Sequence, residues 1–363
     1  MAMAIQVQRV GGDVSTLEAS ETTSVEQFKD LVLRALRPGD DDLTRKLTSV
    51  ELLLGERPLE DSATLAESGV APGETVLAVF GMRSVSCAAG EQSKVFNLLL
   101  DERHVVLDIP VGETQIAEQA FEDCRAIQRL TIPESVKSIG AAAFSGCSSL
   151  TTLSIPSSLT SIGARVFSRC TALTTLTIPE SVTSLEAGAF GGCTQLKSLT
   201  IPSSVSSIGS RAFSGCTSLT SLTIPSSSAL TSLGAGAFGG CKSLTSLTLP
   251  NRVTSIGAAA FGNCEALTSL TIPTSVTILR AFVFGGCSSL SSLTIPDSVT
   301  SIGDGAFSQC SSLLRLTIPS SVTHLHSKAF SGCTSLLSLT VPDSVSVHEA
   351  FPDLPPDCHV VRL

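Results

Sequence analysis

The chain contains no tryptophan and no tyrosine. Those residues anchor most tight protein interfaces, so any single contact made by this protein is expected to be weak, with avidity along an extended surface compensating. Charge is sparse too. Asp, Glu, Lys and Arg together make up 15% of residues, the net charge is −9 at pH 7, and the acid is concentrated in the first eighty residues. No basic stripe is present, which argues against a nucleic-acid partner. No stretch approaches the roughly 18 apolar residues of a membrane-spanning helix. The opening "MAMAIQVQRVGGDVSTLEAS" lacks a charged region followed by an apolar core, so a cytoplasmic or nuclear location is expected. The asparagines, Asn97, Asn251 and Asn263, all lie outside N-x-[ST] acceptors, and a glycosylated surface protein is not supported.

Catalytic signatures are missing as well. No glycine-rich phosphate loop, nucleophile elbow or paired-carboxylate arrangement stands out. Of five histidines, His324 and His326 flank an inward Leu325, but two ligands spaced i, i+2 make only half a metal site. The expectation is a protein that is not an enzyme and carries no metal and no cofactor.

What the chain has in abundance is one segment. "QLKSLTIPSSVSSIGSRAFSGC", Gln195 to Cys216, recurs about ten times. Prolines 110, 133, 156, 179, 202 and 225 are 23 residues apart; after one step of 25 the spacing resumes through prolines 250, 273, 296, 319 and 342. The extra pair falls in "SSSAL", Ser226 to Leu230, and is expected to be a loop insertion. A short strict period means a solenoid, in which each coil buries its apolar side against its neighbours. Within a unit, Leu219, Leu222 and Ile224 form a Leu-x-x-Leu-x-Ile strand that ends at Pro225, and Leu230, Leu233, Ala237, Phe238 and Cys241 return along the other wall. Coils stacked about 4.8 Å apart would make ten of them a rod on the order of 50 Å long.

Ten cysteines, from Cys124 to Cys333, occupy one repeat position; only Cys87 and Cys358 lie elsewhere. A zinc site fails because no CxxC pair exists. A disulfide ladder would need crossed Cβ vectors, whereas stacked coils give parallel ones, so reduced packing cysteines are expected. Serines two residues after most prolines (Ser135, Ser158, Ser181, Ser204, Ser275, Ser298, Ser321 and Ser344) form a second row, read as hydroxyls that satisfy backbone groups left unpaired by the turn. Outward strand positions are mostly Ser and Thr, as at Ser221 and Thr223. Arg129, Lys197, Leu314 and Arg315 break that hydroxyl surface and are the candidate partner contacts.

The repeat "LTIPxSVTSIGxxAFxxCxSL" resembles the BspA-like class of leucine-rich repeats over about Val105 to Val345. That resemblance implies protein binding or adhesion, often at a microbial or protist cell surface. The Ser-x-Thr rows are also similar to the Thr-x-Thr arrays of ice-binding proteins, although Ser usually fills the first position here.

The first eighty residues read differently. Two short strands joined at Gly11-Gly12 lead through Thr23 or Ser24, as N-cap, into a helix with Val25, Phe28, Leu31, Val32 and Leu36 on one face; strand-rich sequence follows. A β-grasp is the expected fold. Leu52, Leu59-Glu60-Asp61, Thr64-Leu65, Thr75, Val79, Thr16-Leu17-Glu18 and Lys29 resemble ubiquitin and ubiquitin-like domains, with an insertion around "RPGDDDLTRK". The resemblance implies that the receptor-binding apolar patch falls on Val10, Leu53, Leu77 and Val79, and that ubiquitin-pathway receptors are partners. No di-glycine follows Phe80, which sets the segment apart from a conjugated modifier. The expected organisation is a ubiquitin-like domain at 1–82, a linker at 83–104, a β-rich leucine-rich repeat solenoid at 105–345 and a C-terminal cap at 346–363.

Overall fold

The computed structural model describes residues 2–9, 14–20, 22–35, 47–54, 57–60, 62–71, 75–82, 97–101, 104–109, 112–125, 127–326, 328–343 and 354–362. The leading segment contains β1 (Ala2–Arg9), β2 (Val14–Ser20), α1 (Val25–Ala35), β3 (Leu47–Leu54), β4 (Arg57–Pro58) and β5 (Thr75–Met82). β1 runs antiparallel to β2 and parallel to β5, while β3 lies antiparallel to the other edge of β5.

Ser24 is the N-cap of α1. Its hydroxyl accepts from Gln27 N–H while its own N–H donates to Gln27 Oε1, a reciprocal box that satisfies two otherwise orphaned donors. Thr23 instead closes the turn against Ser20. A second box, Thr64 with Glu67, stands beside it, and Val25 N–H donates to Ala63 O as Leu65 N–H donates to Thr23 O. Val25, Phe28 and Val32 are buried with Ile5, Val7, Leu59, Leu65 and Val70. Leu31, expected on that face, is 40% exposed because an eleven-residue helix against one sheet buries only a narrow stripe. Leu36 and the Gly11-Gly12 turn lie outside the described residues.

Within the stretch expected as a linker, β6 (Asn97–Asp101) pairs antiparallel with Phe80–Gly81 of β5 and with β7 (His104–Asp108). β3 occupies one side of β5 at Phe80 and Gly81, so β6 takes the side that β1 leaves free beyond Ala78. β7 then pairs parallel with Ile127–Thr131, and that strand with Thr152–Ser154.

From there the chain is a β-solenoid of about ten coils of roughly 23 residues. Most coils carry a short strand such as Ser221–Thr223 and, after the proline turn, a two-residue strand such as Ser232–Leu233; these pair parallel and in register with equivalents in neighbouring coils. The eight inward positions of one coil, Val205, Ile208, Ala212, Phe213, Cys216, Leu219, Leu222 and Ile224, are all buried. Each large one contributes about 1.5–3 kcal/mol by leaving water.

Phenylalanines from Phe121 to Phe330 form a continuous file of ten stacked rings, with centroids 5.1–6.0 Å apart. These spacings exceed the roughly 4.8 Å between paired strands, so neighbouring rings are offset, the arrangement favoured by their quadrupoles.

The inserted pair is absorbed in a local turn. Ser228 is fully buried and its hydroxyl accepts from Leu230 N–H, while Leu230 occupies the core position held by Val205 and Val253 in neighbouring coils. The serine row is structural: Ser204, Ser298 and Ser321 donate to the valine carbonyl of the preceding coil at 2.7 Å, and Ser158 and Ser275 do the same. Ser135 instead accepts from Gly112 N–H. The Ser181 hydroxyl is buried without a partner, and Ser344 lies outside the described residues.

Two further rows run along the corner before each cysteine, where the backbone is left-handed in coil after coil. One passes through Arg165, Gly188, Arg211 and Gly236, the other through Arg169, Gly192, Gly215 and Gly240, with φ between 55° and 77° in these eight residues. Adjacent coils approach closely just before the first row, as at Gly257, where a Cβ would overlap the Ala235 nitrogen and the Gly234 carbonyl carbon. Because those are backbone atoms of the neighbouring coil, Gly257→Ala is expected to destabilise the solenoid by about 1–3 kcal/mol. A lowered denaturation midpoint in urea would show it; an unchanged midpoint would mean that the coils can part there at little cost.

Candidate partner-binding face

The exposed strand face carries three side-chain rows per wall, and their hydroxyls differ in what they can offer. In the first row, through Thr151, Thr220 and Thr268, each hydroxyl donates to the carbonyl one coil back, Gln128, Lys197 and Thr245, at 3.0–3.1 Å. Those groups are engaged in holding coils together. The rows through Ser221 and Thr223 are exposed and alternate with buried Leu222.

Of the four solenoid candidates, Arg129 and Arg315 lie on the Ser221 row, and Lys197 and Leu314 on the Thr220 row. All four are exposed. Eight coils separate Arg129 from Arg315, on the order of 40 Å at strand spacing, and Lys197 is five coils from Leu314. Only Leu314 and Arg315 are neighbours. The structure adds Leu337 to them: it occupies Leu314's position one coil on, and its N–H donates to Leu314 O at 2.9 Å. Leu314 is 45% and Leu337 50% exposed, two adjacent apolar side chains in a row where most other coils place threonine and the rest Gln, Lys or Ser. The sequence carried that signal in "SLLRL" followed by "SLLSL".

The strand ladder, which also breaks between Thr152–Ser154 and Thr175–Leu176 and between Ser221–Thr223 and Ser246–Thr248, is interrupted beside this pair as well. Strand Ser269–Thr271 and strand Arg315–Thr317 are separated by a coil that contributes only the bridge Thr271↔Thr294, and Leu293, whose equivalents are buried, is half-buried. Two depressions of about 390 and 430 Å³ flank the interruption, and Leu293, Thr294 and Arg315 line both. The arrangement offers two exposed leucines, a guanidinium beside them and indented backbone, the kind of surface that a partner's side chains can enter.

On the leading segment, Leu53 stands opposite Leu77 in the β3–β5 register and Val79 opposite Glu51. Val10 lies outside the described residues, as do the side chains of the other three.

His326 Nδ1 is 3.0 Å from Asp304 Oδ1, and His324 Nδ1 meets the Thr323 hydroxyl. Among the described residues no group of three or more His, Cys, Asp or Glu is gathered to hold a metal ion, and no helix is long and apolar enough to cross a membrane.

The ladder cysteines, Cys124 to Cys333, are buried and form no disulfides. From Cys147 onward each Sγ–H donates to the phenylalanine carbonyl of the preceding coil, at 3.1–3.5 Å. Burial raises these thiols, with Cys170, Cys216, Cys287 and Cys333 pushed up to about 12 from an ordinary value of 9.0. Each pKa is higher folded than unfolded, so the associated stability is complete below about pH 9 and is lost as the pH rises towards 12, where unfolded thiols ionise first. Urea unfolding at pH 8 and pH 10.5 is expected to show a marked fall in stability, reduced in Cys170→Ala; the native ladder thiols, Cys124 to Cys333, are expected to resist alkylation at pH 8. Rapid native alkylation would overturn this assignment.

A family model described as BspA type Leucine rich repeat region matches residues 114–241 and 231–351. The chain belongs to this family. No curated protein matches. Solved structures similar to this BspA-type chain include a leucine-rich repeat protein from Bacteroides ovatus (24% identity, 78% of this chain and 99% of that one, TM-score 0.41). Another is a leucine rich cell surface protein from Faecalibacterium prausnitzii (25% identity, 76% and 95%, TM-score 0.47). A third is the pneumococcal vaccine antigen PcpA (18% identity, 78% and 86%, TM-score 0.41). BspA-type membership is consistent with a protein-interaction role, and no enzymatic family is matched.

Proposed function

We propose that this protein is a non-enzymatic binding scaffold whose partner, a protein, docks on the strand face at Leu314, Arg315 and Leu337. The observation that carries the reading is the replacement of threonine by leucine in two consecutive coils, next to a cation and an interrupted ladder. Solvent-exposed apolar pairs on an otherwise hydroxyl-rich face mark interaction sites, and leucine there does nothing for the backbone that threonine did. Arg129 and Lys197 are secondary contacts for a partner long enough to follow the array. The doubly substituted Leu314→Ser, Leu337→Ser protein is expected to keep its midpoint of unfolding and to bind its partner at least tenfold more weakly in a titration. Undiminished binding would remove this face from the reading.

A second element of the proposal concerns the leading segment, read as a β-grasp head of the ubiquitin type. The strand order β2-β1-β5-β3, with a parallel central pair and a helix whose Val25, Phe28 and Val32 are buried, supports it. Docking of this head to ubiquitin-pathway receptors in the cytoplasm or nucleus through Val10, Leu53, Leu77 and Val79 completes the adaptor reading. In an affinity pull-down from native lysate, ubiquitin-receptor or proteasomal subunits are expected with the whole protein and lost with Leu53→Ala. If the two protein sets match and contain none of these, the head does not dock through that patch. The alternative, a BspA-type surface or adhesion role, would use the same strand face, and labelling of intact cells separates the two.

A further inference from the structure

Between residues 114 and 343 every phenylalanine except one belongs to the stacked file. The exception is Phe282, which is 47% exposed. It occupies a left-handed position of the repeat with φ 54°, where other coils carry Ala, Gly, Gln or Arg. Arg165 and Arg211 share that conformation, but Phe282 alone places an aromatic ring there, and such strain persists only where the surroundings hold it in place. They do: Phe282 N–H donates to Asp304 O at 2.8 Å, and Gly285 N–H donates to Phe282 O at 2.9 Å. The ring lies across the next coil at Gly305, where a Cβ would overlap Cε1 and Cδ1 of Phe282. Gly305 thus supplies the space that lets the ring lie against the surface.

Beside the ring is a depression of about 600 Å³. Its lining includes Gly285 and Gly286, the amides of Asn263 and Gln309 from the coils on either side, and the hydroxyls of Ser288 and Ser308. Asn263 and Gln309 are themselves left-handed, φ 57° and 58°, so three consecutive coils hold side chains at this corner in a conformation that glycine would adopt at lower cost. The carboxylate bordering the site, Glu265, is paired with Lys242 at 2.9 Å.

We infer that this corner is a binding site for a neutral sugar, a pyranose unit whose apolar CH face stacks on Phe282. The chemistry of the lining selects this class. One aromatic ring is the single large apolar element, and the other polar side chains are amides and hydroxyls able both to donate and to accept, with the one carboxylate, Glu265, paired to Lys242. A pyranose has that division, an apolar face and a rim of hydroxyls, whereas an apolar peptide side chain needs a second apolar wall, which this depression lacks. The inference is independent of the strand face, since it rests on different rows of the coil.

The test is saturation-transfer NMR on the full chain with the methyl pyranosides of glucose, galactose, mannose and N-acetylglucosamine, beside a leucine-containing peptide as comparator. At least one glycoside is expected to receive saturation at millimolar concentration, with the signal lost in Phe282→Gly and reduced several-fold in Gln309→Gly. Both variants retain the left-handed backbone, and relief of strain is expected to leave their melting temperatures unchanged or raised, so loss of signal is not loss of fold. The inference is overturned if no glycoside receives saturation, if the signal survives in Phe282→Gly, or if the peptide alone is bound.

Discussion

A coil of this protein can remove its eight apolar side chains from water only if the next coil lays the same kinds of side chain over them, so the whole molecule depends on in-register stacking. Parallel pairing such as Ser198↔Ser221 and Leu199↔Leu222 sets that register, and a displacement by one residue would turn Leu222 out and Ser221 in. The phenylalanine file, the cysteine Sγ–H bonds and the serine and threonine hydroxyls all run from one coil to its neighbour. Each is a consequence of the same spacing, and each penalises a coil of different length. The one longer coil is tolerated because its two additional residues turn back within the proline corner, with Ser228 closing the turn.

Strict repetition also locates function. Where every coil does the same structural work, a coil that departs from the pattern without improving the stack is carrying something else. Leu314 and Leu337 relinquish the hydroxyl-to-carbonyl bond that Thr220 and Thr268 make, and Phe282 accepts a backbone conformation that favours glycine. The cysteines are the opposite case. They are chemically the most conspicuous residues of the chain, yet burial holds them protonated and their sulfur atoms are occupied with backbone carbonyls, so their conspicuous spacing reports packing. The same holds for the serine row after the prolines.

Much of this was legible in the sequence, because a short-period solenoid writes its geometry into one dimension: the interval between prolines gives the coil, the Leu-x-x-Leu-x-Ile run gives the wall, and the alternation gives the buried side. Residue type alone, with no account of neighbours in space, was enough to assign Leu222 and Ile224 to the core and Ser221 and Thr223 to the surface. Period and alternation do not encode which departures from the pattern meet. Arg129 and Arg315 share a row but stand eight coils apart, while Leu337 is adjacent to Leu314 across a full turn of chain. The interruption of the ladder at Leu293 and the left-handed corners depend on backbone angles and inter-coil distances, which residue types such as Ala, Arg and Phe at those corners do not announce. Leu31 is exposed for a related reason: the width of the helix stripe that is covered is set by the sheet beneath it.

By itself the sequence determined the family, the coil, the core and the reduced state of the ladder cysteines, since each follows from a residue type repeated at one interval. The tertiary structure decided where exposed side chains come together. Contact between residues 20 or more apart in the chain depends on the register and rise of stacked coils, so the Leu314–Leu337 pair and the Phe282 corner exist only once those coils are laid side by side.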